Sequence, residues 1–209
     1  MRKGIFWYYF ENNPKIPIIE EENDYLVETT SSVDVPNLNA RAAILYDVTY
    51  DRILYEKNSK QKRANASTTK MITAIVAYEK GKLSDTVIVS QKAAGTGGST
   101  INLKAGDEIT LDNLIKGLLL RSGNDAAVAI AEHIGGNVEV FANLMNEKAV
   151  TIGMTNTHFV TPSGLDAEGH YSTAYDMALL MSYALENEDF AKLTSQKSAE
   201  VSFIEPSSK

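Results

Sequence analysis

Apolar and polar positions change their rhythm several times along the chain. Residues 1–39 show no periodic pattern: Pro14, Pro17 and Pro36 punctuate them, and Glu20-Glu21-Glu22 and residues 29–32 form a polar middle. A flexible N-terminal extension is predicted there, with the patterned domain beginning near Asn39. Residues 42–48 and 52–56 are short β-prone runs on either side of Thr49-Tyr50-Asp51, which predicts an antiparallel hairpin. From Ser67 onward Met71, Ile72, Ile75, Val76 and Leu83 recur at helical spacing, so a helix should run from about Ser67 to Gly81.

Residues 86–90 read as a strand, and residues 95–98 as a loop that lacks the spacing of a phosphate cradle. Thr110 is placed to cap a helix with Leu111, Leu114, Ile115, Leu118 and Leu119 on one broad face. Residues 121–124 break that helix, and Asp125 starts another that is nearly all apolar through Ile134 to Gly135-Gly136, the signature of a helix buried at a domain centre. Asn137 caps a third, with Val140, Phe141, Leu144 and Met145 expected inward and an end near Gly153. Thr173 and Asp176 stand at capping-box spacing before Met177, Leu180, Met181 and Ala184. A short hairpin followed by a largely helical body predicts an α/β (α+β) fold with strands missing from its sheet.

Composition narrows the function. The 209 residues suit one sizeable domain. A formal charge of −7, from 20 basic and 27 acidic residues, argues against a nucleic-acid partner, and the basic run at residues 57–63 reads as a solvated loop. There is no cysteine, so thiol catalysis and disulfides are excluded. His133, His158 and His170 show no metal-binding spacing, and no metal or organic cofactor is expected. Residues 4–10 run into Glu11-Asn12-Asn13-Pro14 with no small-residue cleavage site, a poor match to an export signal. No stretch approaches the ~20 apolar residues of a membrane span, so a soluble chain is expected.

The chemistry centres on Ser67-Thr68-Thr69-Lys70. Residues three apart on a helix share a face, which sets Lys70 beside the Ser67 hydroxyl. A serine needs an adjacent base, and lysine can be one if desolvation or a positive field lowers its pKa from about 10.4 toward 7. First-turn N–H groups would favour a developing oxyanion. Ser59-Lys60-Gln61-Lys62 repeats the S-x-x-K spacing in a polar stretch without apolar periodicity, which shows how little the spacing means alone. A second element, Ser122-Gly123-Asn124, sits in the break between two apolar helices. Its serine has the chemistry to relay a proton to a leaving amine, and its amide to bond both substrate and Lys70. An ordinary Asn/Gly helix–helix turn is the plainer account of the same residues.

Together these motifs resemble the penicillin-binding proteins and class A β-lactamases, which carry S-x-x-K, S-D-N and K-T-G. Ala66-Ser67-Thr68-Thr69-Lys70-Met71-Ile72-Thr73-Ala74, residues 118–127 (LLLRSGNDAA), 158–166 (HFVTPSGLD) and 170–176 (HYSTAYD) are similar to the low-molecular-mass serine D-alanyl-D-alanine carboxypeptidases. Gly123 favours that branch, since class A β-lactamases place Asp there, and no downstream Glu-x-x-Leu-Asn is present. The resemblance implies a β-lactamase/transpeptidase-like fold over residues 40–209, with an antiparallel sheet whose C-terminal strands are missing. It implies Ser67 as nucleophile, Lys70 as base, Ser122 as proton relay and Asn124 as substrate-binding. It also implies peptidoglycan stem peptide as substrate, β-lactam antibiotics as acylating ligands, and a place on the extracytoplasmic, cell-wall side.

The chain departs from that family pattern at its C-terminal end. No K-T-G occurs, and the chain reaches Lys209 before the strand that would carry it. A missing C-terminal segment or a second chain is therefore expected to complete the sheet, the hairpin should show an open edge, and Lys70 should be too wet for a large pKa shift. A non-catalytic penicillin- or wall-binding fragment is the alternative reading, and a β-lactamase-like hydrolase a third. Asn65-Ala66-Ser67 is a coincidental glycosylation sequon, and without a GxSxG elbow His158 and His170 are expected to be structural.

Overall fold

The computed structural model describes residues 38–204, so the N-terminal extension lies almost wholly outside the described residues. Strands β1 (Ala43–Asp47) and β2 (Arg52–Lys57) form the expected antiparallel hairpin, in register Ala43 with Lys57 and with an irregularity between Leu45 and Tyr46. Asp47 closes its turn by accepting the Thr49 and Tyr50 amides. A 3₁₀ turn, Ala66–Thr69, leads into α1 (Lys70–Lys80). Then come β3 (Thr86–Ile88), the short α2 (Gln91–Ala94), β4 (Glu108–Thr110), α3 (Leu111–Leu120), α4 (Asn124–Gly135) and α5 (Val138–Ile152). A long connection leads to α6 (Ala174–Ala184), α7 (Glu188–Thr194) and β5 (Phe203–Ile204). Strands β3, β4 and β5 form a second antiparallel sheet in that order.

Helix α4 is the hub. Every residue from Asn124 to Ala131 is buried, as its all-round apolar sequence requires, and α1, α3 and α5 pack around it. Helix α1 buries Ile72 to Ala77 among its neighbouring helices, α4 included, which fixes the direction in which the Ser67 turn points. Side-chain caps set the helix starts. Thr110 accepts the Asn113 amide, Asn137 that of Val140, and Thr173 that of Asp176, each cap contributing about 1 kcal/mol.

Several expectations change. Val140 is 44% exposed rather than inward, because the buried stripe of α5 runs through Phe141, Met145 and Ala149, with Ala142 beside it. The capping box at α6 is only half formed, since buried Asp176 turns its carboxylate to the Asn156 amide and the Thr157 hydroxyl. Among the described residues no strand pairs with the outer side of β1 or β2, and Ile53 and Leu54 are exposed on β2. The other side of this hairpin rests on α6, where the Tyr46 and Tyr175 rings meet edge-on.

Candidate active site

Ser67 lies in the 3₁₀ turn, three residues before the α-helix proper begins at Lys70. The preceding residue, Ala66, has φ +44°, a left-handed conformation in a residue with a Cβ. Ser67 is exposed and Lys70 is 3% exposed, so one turn of backbone carries a hydroxyl in solvent and an amine in the interior. The amine stands 3.2 Å from Ser67 Oγ.

Among the described residues no carboxylate bonds to Lys70. Its Nζ donates to Asn124 Oδ1 at 2.8 Å and to the Ser163 carbonyl at 2.7 Å. A neutral amine has two N–H groups, which these two oxygens satisfy, and a lone pair that remains for the Ser67 proton. An ammonium places its third N–H on Ser67 Oγ. The seat therefore accepts both protonation states, as a base requires. Burial pulls the Lys70 pKa from 10.5 down to about 8, which makes the charged form about 3 kcal/mol less favourable than in water. The expectation of a wet Lys70 is thus overturned: α1, α4 and the chain at residues 162–164 bury it among the described residues, without further strands. The shift comes from desolvation and not from a neighbouring positive charge.

The Ser122-Gly123-Asn124 turn faces this pair. Ser122 Oγ donates to Ser67 Oγ at 2.9 Å, and Ser122 itself has φ +56°. Asn124 is buried at the first position of α4, and its Nδ2 donates to Gly97 O at 2.8 Å while its backbone N–H reaches Ser99 O at 2.7 Å. A Cβ on Gly98, whose φ is +86°, would lie 2.6 Å from that Nδ2. Asp125 ties the same loop down by accepting the Ile101 and Leu103 amides. All four residues singled out from the sequence therefore meet at one point. A cavity of about 350 Å³ opens beside them, walled by Met71, Leu118, Met181 and Phe190.

Sequence reasoning missed the third wall of the seat. Residues 160–164 run across the Ser67 turn, with Pro162 O accepting the Thr73 hydroxyl and Ser163 O accepting Lys70. Gly164, at φ +79°, lies so close that a Cβ there would sit 1.9 Å from Ala66 O. The Ser163-Gly164 pair is visible within the HFVTPSGLD segment, but a backbone carbonyl has no side-chain signature to announce its role. His170 is buried and bonded as a structural residue, while exposed His158 directs Nδ1 to Gly169 O.

A serine in a 3₁₀ turn with a lysine one turn on at the head of a buried helix, met by a Ser-x-Asn turn, is the arrangement of the first two motifs of the penicillin-binding proteins and class A β-lactamases. Residues 29–208 match the D-alanyl-D-alanine carboxypeptidase family, and the chain belongs to it. It is 45% identical over 160 residues to D-alanyl-D-alanine carboxypeptidase DacF of Bacillus subtilis, covering 74% of this chain and 41% of that protein. Against DacC of Escherichia coli the identity is 42% over 160 residues, with 71% and 40% covered. The chain thus spans about two fifths of the length of these relatives. A D-alanyl-D-alanine carboxypeptidase from Mycobacterium tuberculosis superposes with a TM-score of 0.78 at 34% identity, covering 84% of this chain and 69% of that one. Penicillin-binding protein 5 from Haemophilus influenzae superposes with a TM-score of 0.75 at 35% identity, covering 79% and 51%. The fold is accordingly transpeptidase-like, a mixed α and β body with small antiparallel sheets.

Proposed function

We propose that this chain carries the acylation machinery of a serine D-alanyl-D-alanine carboxypeptidase acting on peptidoglycan stem peptides. Lys70 Nζ takes the Ser67 proton, and Oγ attacks the carbonyl of the terminal D-Ala-D-Ala bond. The tetrahedral oxyanion forms near the first-turn N–H groups of the nucleophile helix. Its collapse expels D-Ala, whose nitrogen receives the proton through Ser122, and water then hydrolyses the Ser67 ester. Asn124 holds Lys70 through Oδ1, and substrate is offered the remaining N–H of its amide. The same serine is acylated by β-lactams. Work on this substrate places the protein on the cell-wall side of the membrane, and among the described residues no helix is long and apolar enough to cross one.

The observation that carries this reading is the buried lysine amine 3.2 Å from Ser67 Oγ, held by uncharged oxygens among the described residues. Incubation with a penicillin, followed by intact mass and peptide mapping, should place one acyl group on Ser67 and none on Ser67→Ala. Label on another serine, or undiminished label in Ser67→Ala, would refute the assignment. Measuring D-Ala release from a stem-peptide analogue separates a turning-over enzyme from a chain that only binds penicillin.

A further inference from the structure

His170 stands between two pieces of the site without reaching the reacting atoms. Its Nδ1 accepts the Val160 amide at 3.0 Å and the Thr161 amide at 3.3 Å. A nitrogen that accepts two N–H groups carries no proton, so the ring hydrogen is on Nε2. That nitrogen is 3.0 Å from Thr69 Oγ1, a fully buried hydroxyl between Ser67 and Lys70, which also accepts from Asn65 Nδ2 at 2.8 Å. The Val160 and Thr161 amides begin the segment whose Pro162 and Ser163 carbonyls hold Thr73 and Lys70. One imidazole thus pins the nucleophile turn to the segment that seats the base.

We infer that His170 is a positioning residue for the Ser67–Lys70 pair, and that it works only as the neutral Nε2–H tautomer. A proton on Nδ1 would face two N–H groups at hydrogen-bond distance, and the segment would have to leave the ring. Ser163 O would then move from Lys70, and the lysine would lose one of its two oxygen acceptors. The ring is 7% exposed, and burial holds it below its ordinary value. Of the charged groups acting on it, His158 pushes in the same direction and Asp166 opposes. Tyr171 adjoins it in the chain, and Lys70 is the titratable group held by the segment that the ring pins.

This inference rests on the acyl-enzyme reading for its kinetic consequence. If Lys70 must be neutral to act, acylation falls tenfold per pH unit below its pKa of about 8. Protonation of His170 adds a second proton to the inactive form, so below the His170 value the fall should steepen to a hundredfold per unit. His170→Asn keeps an acceptor where Nδ1 sits but cannot take a proton, so its profile should keep the single slope. The probe is a fluorescent penicillin, with acylation rates measured across the acid range for both proteins. Long-range ¹H–¹⁵N spectra of the wild-type imidazole, with hydrogen exchange at the Val160 amide, give a readout independent of activity. The expected result is an Nε2–H tautomer at neutral pH, and Val160 protection lost on acidification with the His170 midpoint. An Nδ1–H tautomer, a single slope in the wild type, or a second limb surviving in His170→Asn would overturn the inference. Should His170→Asn fail to fold, the wild-type spectra and exchange decide. No penicillin labelling at any pH, with tautomer and protection as expected, would instead defeat the acyl-enzyme reading and leave the clamp standing.

Discussion

Replacing Asn124 by Asp is the sharpest probe of the proposed base, Lys70. The substitution is isosteric, and it exchanges the amide oxygen 2.8 Å from Lys70 Nζ for a carboxylate oxygen. Two unit charges about 3 Å apart attract by roughly 5–6 kcal/mol at an effective dielectric near 20. That exceeds the about 3 kcal/mol by which burial now disfavours the ammonium, so Lys70 should return at least to 10.5 from about 8. At pH 7.5 the neutral fraction then drops from about one quarter to about one in a thousand, and acylation should fall roughly 200-fold. The signature is its recovery: rates in Asn124→Asp should climb tenfold per pH unit up to about pH 10, where the wild type has levelled off. Stopped-flow acylation with a fluorescent penicillin from pH 6 to 10.5 reads this directly, with thermal unfolding as a control for the lost Nδ2–H bond to Gly97. An Asn124→Asp protein that is slow at every pH with an unshifted profile would show that the uncharged seat does not set the base.

Lys70→Arg keeps a charge that cannot be given up, so it should acylate no faster than Lys70→Ala, both about 10²–10⁴ below wild type in the same assay. Gly164→Ala forces a Cβ to within 1.9 Å of Ala66 O at φ +79°. It should cost about 3 kcal/mol or more and lower Tm by roughly 6–12 °C in a thermal melt, with penicillin labelling reduced beyond the loss of folded protein.

How much of this site the sequence reveals depends on which atoms do the work. Ser67 and Lys70 are legible because their spacing coincides with the start of an apolar periodicity, and the Ser59 copy of the motif falls in a polar stretch at the end of the hairpin. Ser122 and Asn124 are legible because two apolar runs break around them. Helix α4 announces its central position through composition alone. Ser163 O and Gly97 O act through the backbone, and nothing in a side-chain pattern marks a carbonyl. Strands β4 and β5, of 3 and 2 residues, are too short to display a period. The wet-lysine expectation failed because it assigned the drying of the site to a sheet, whereas the walls nearest Nζ are Asn124 on a buried helix and Ser163 on a crossing segment. Val140 failed because a helical stripe read from spacing alone is ambiguous by one residue at its edge.

The placement of strain in this fold goes with the uncharged seat of Lys70. A lysine next to a carboxylate would hold its proton, so the oxygens around Nζ must come from an amide and a backbone carbonyl, which are weaker and must be aimed. Aiming them brings three distant stretches of chain to one amine. Ala66 at φ +44° starts the nucleophile turn, Ser122 at φ +56° turns its hydroxyl onto Ser67, and Gly164 at φ +79° lets the crossing segment touch the Ala66 carbonyl. Left-handed conformations in residues with a Cβ cost of order 1–3 kcal/mol each and persist only where their surroundings over-determine them. Those surroundings are the buried faces of α1 and α4, whose apolar residues are almost fully removed from water. The core therefore does more than stabilise the domain: it holds Ala66 and Ser122 in conformations they would leave if free, and so keeps the Lys70 amine within reach of the Ser67 hydroxyl.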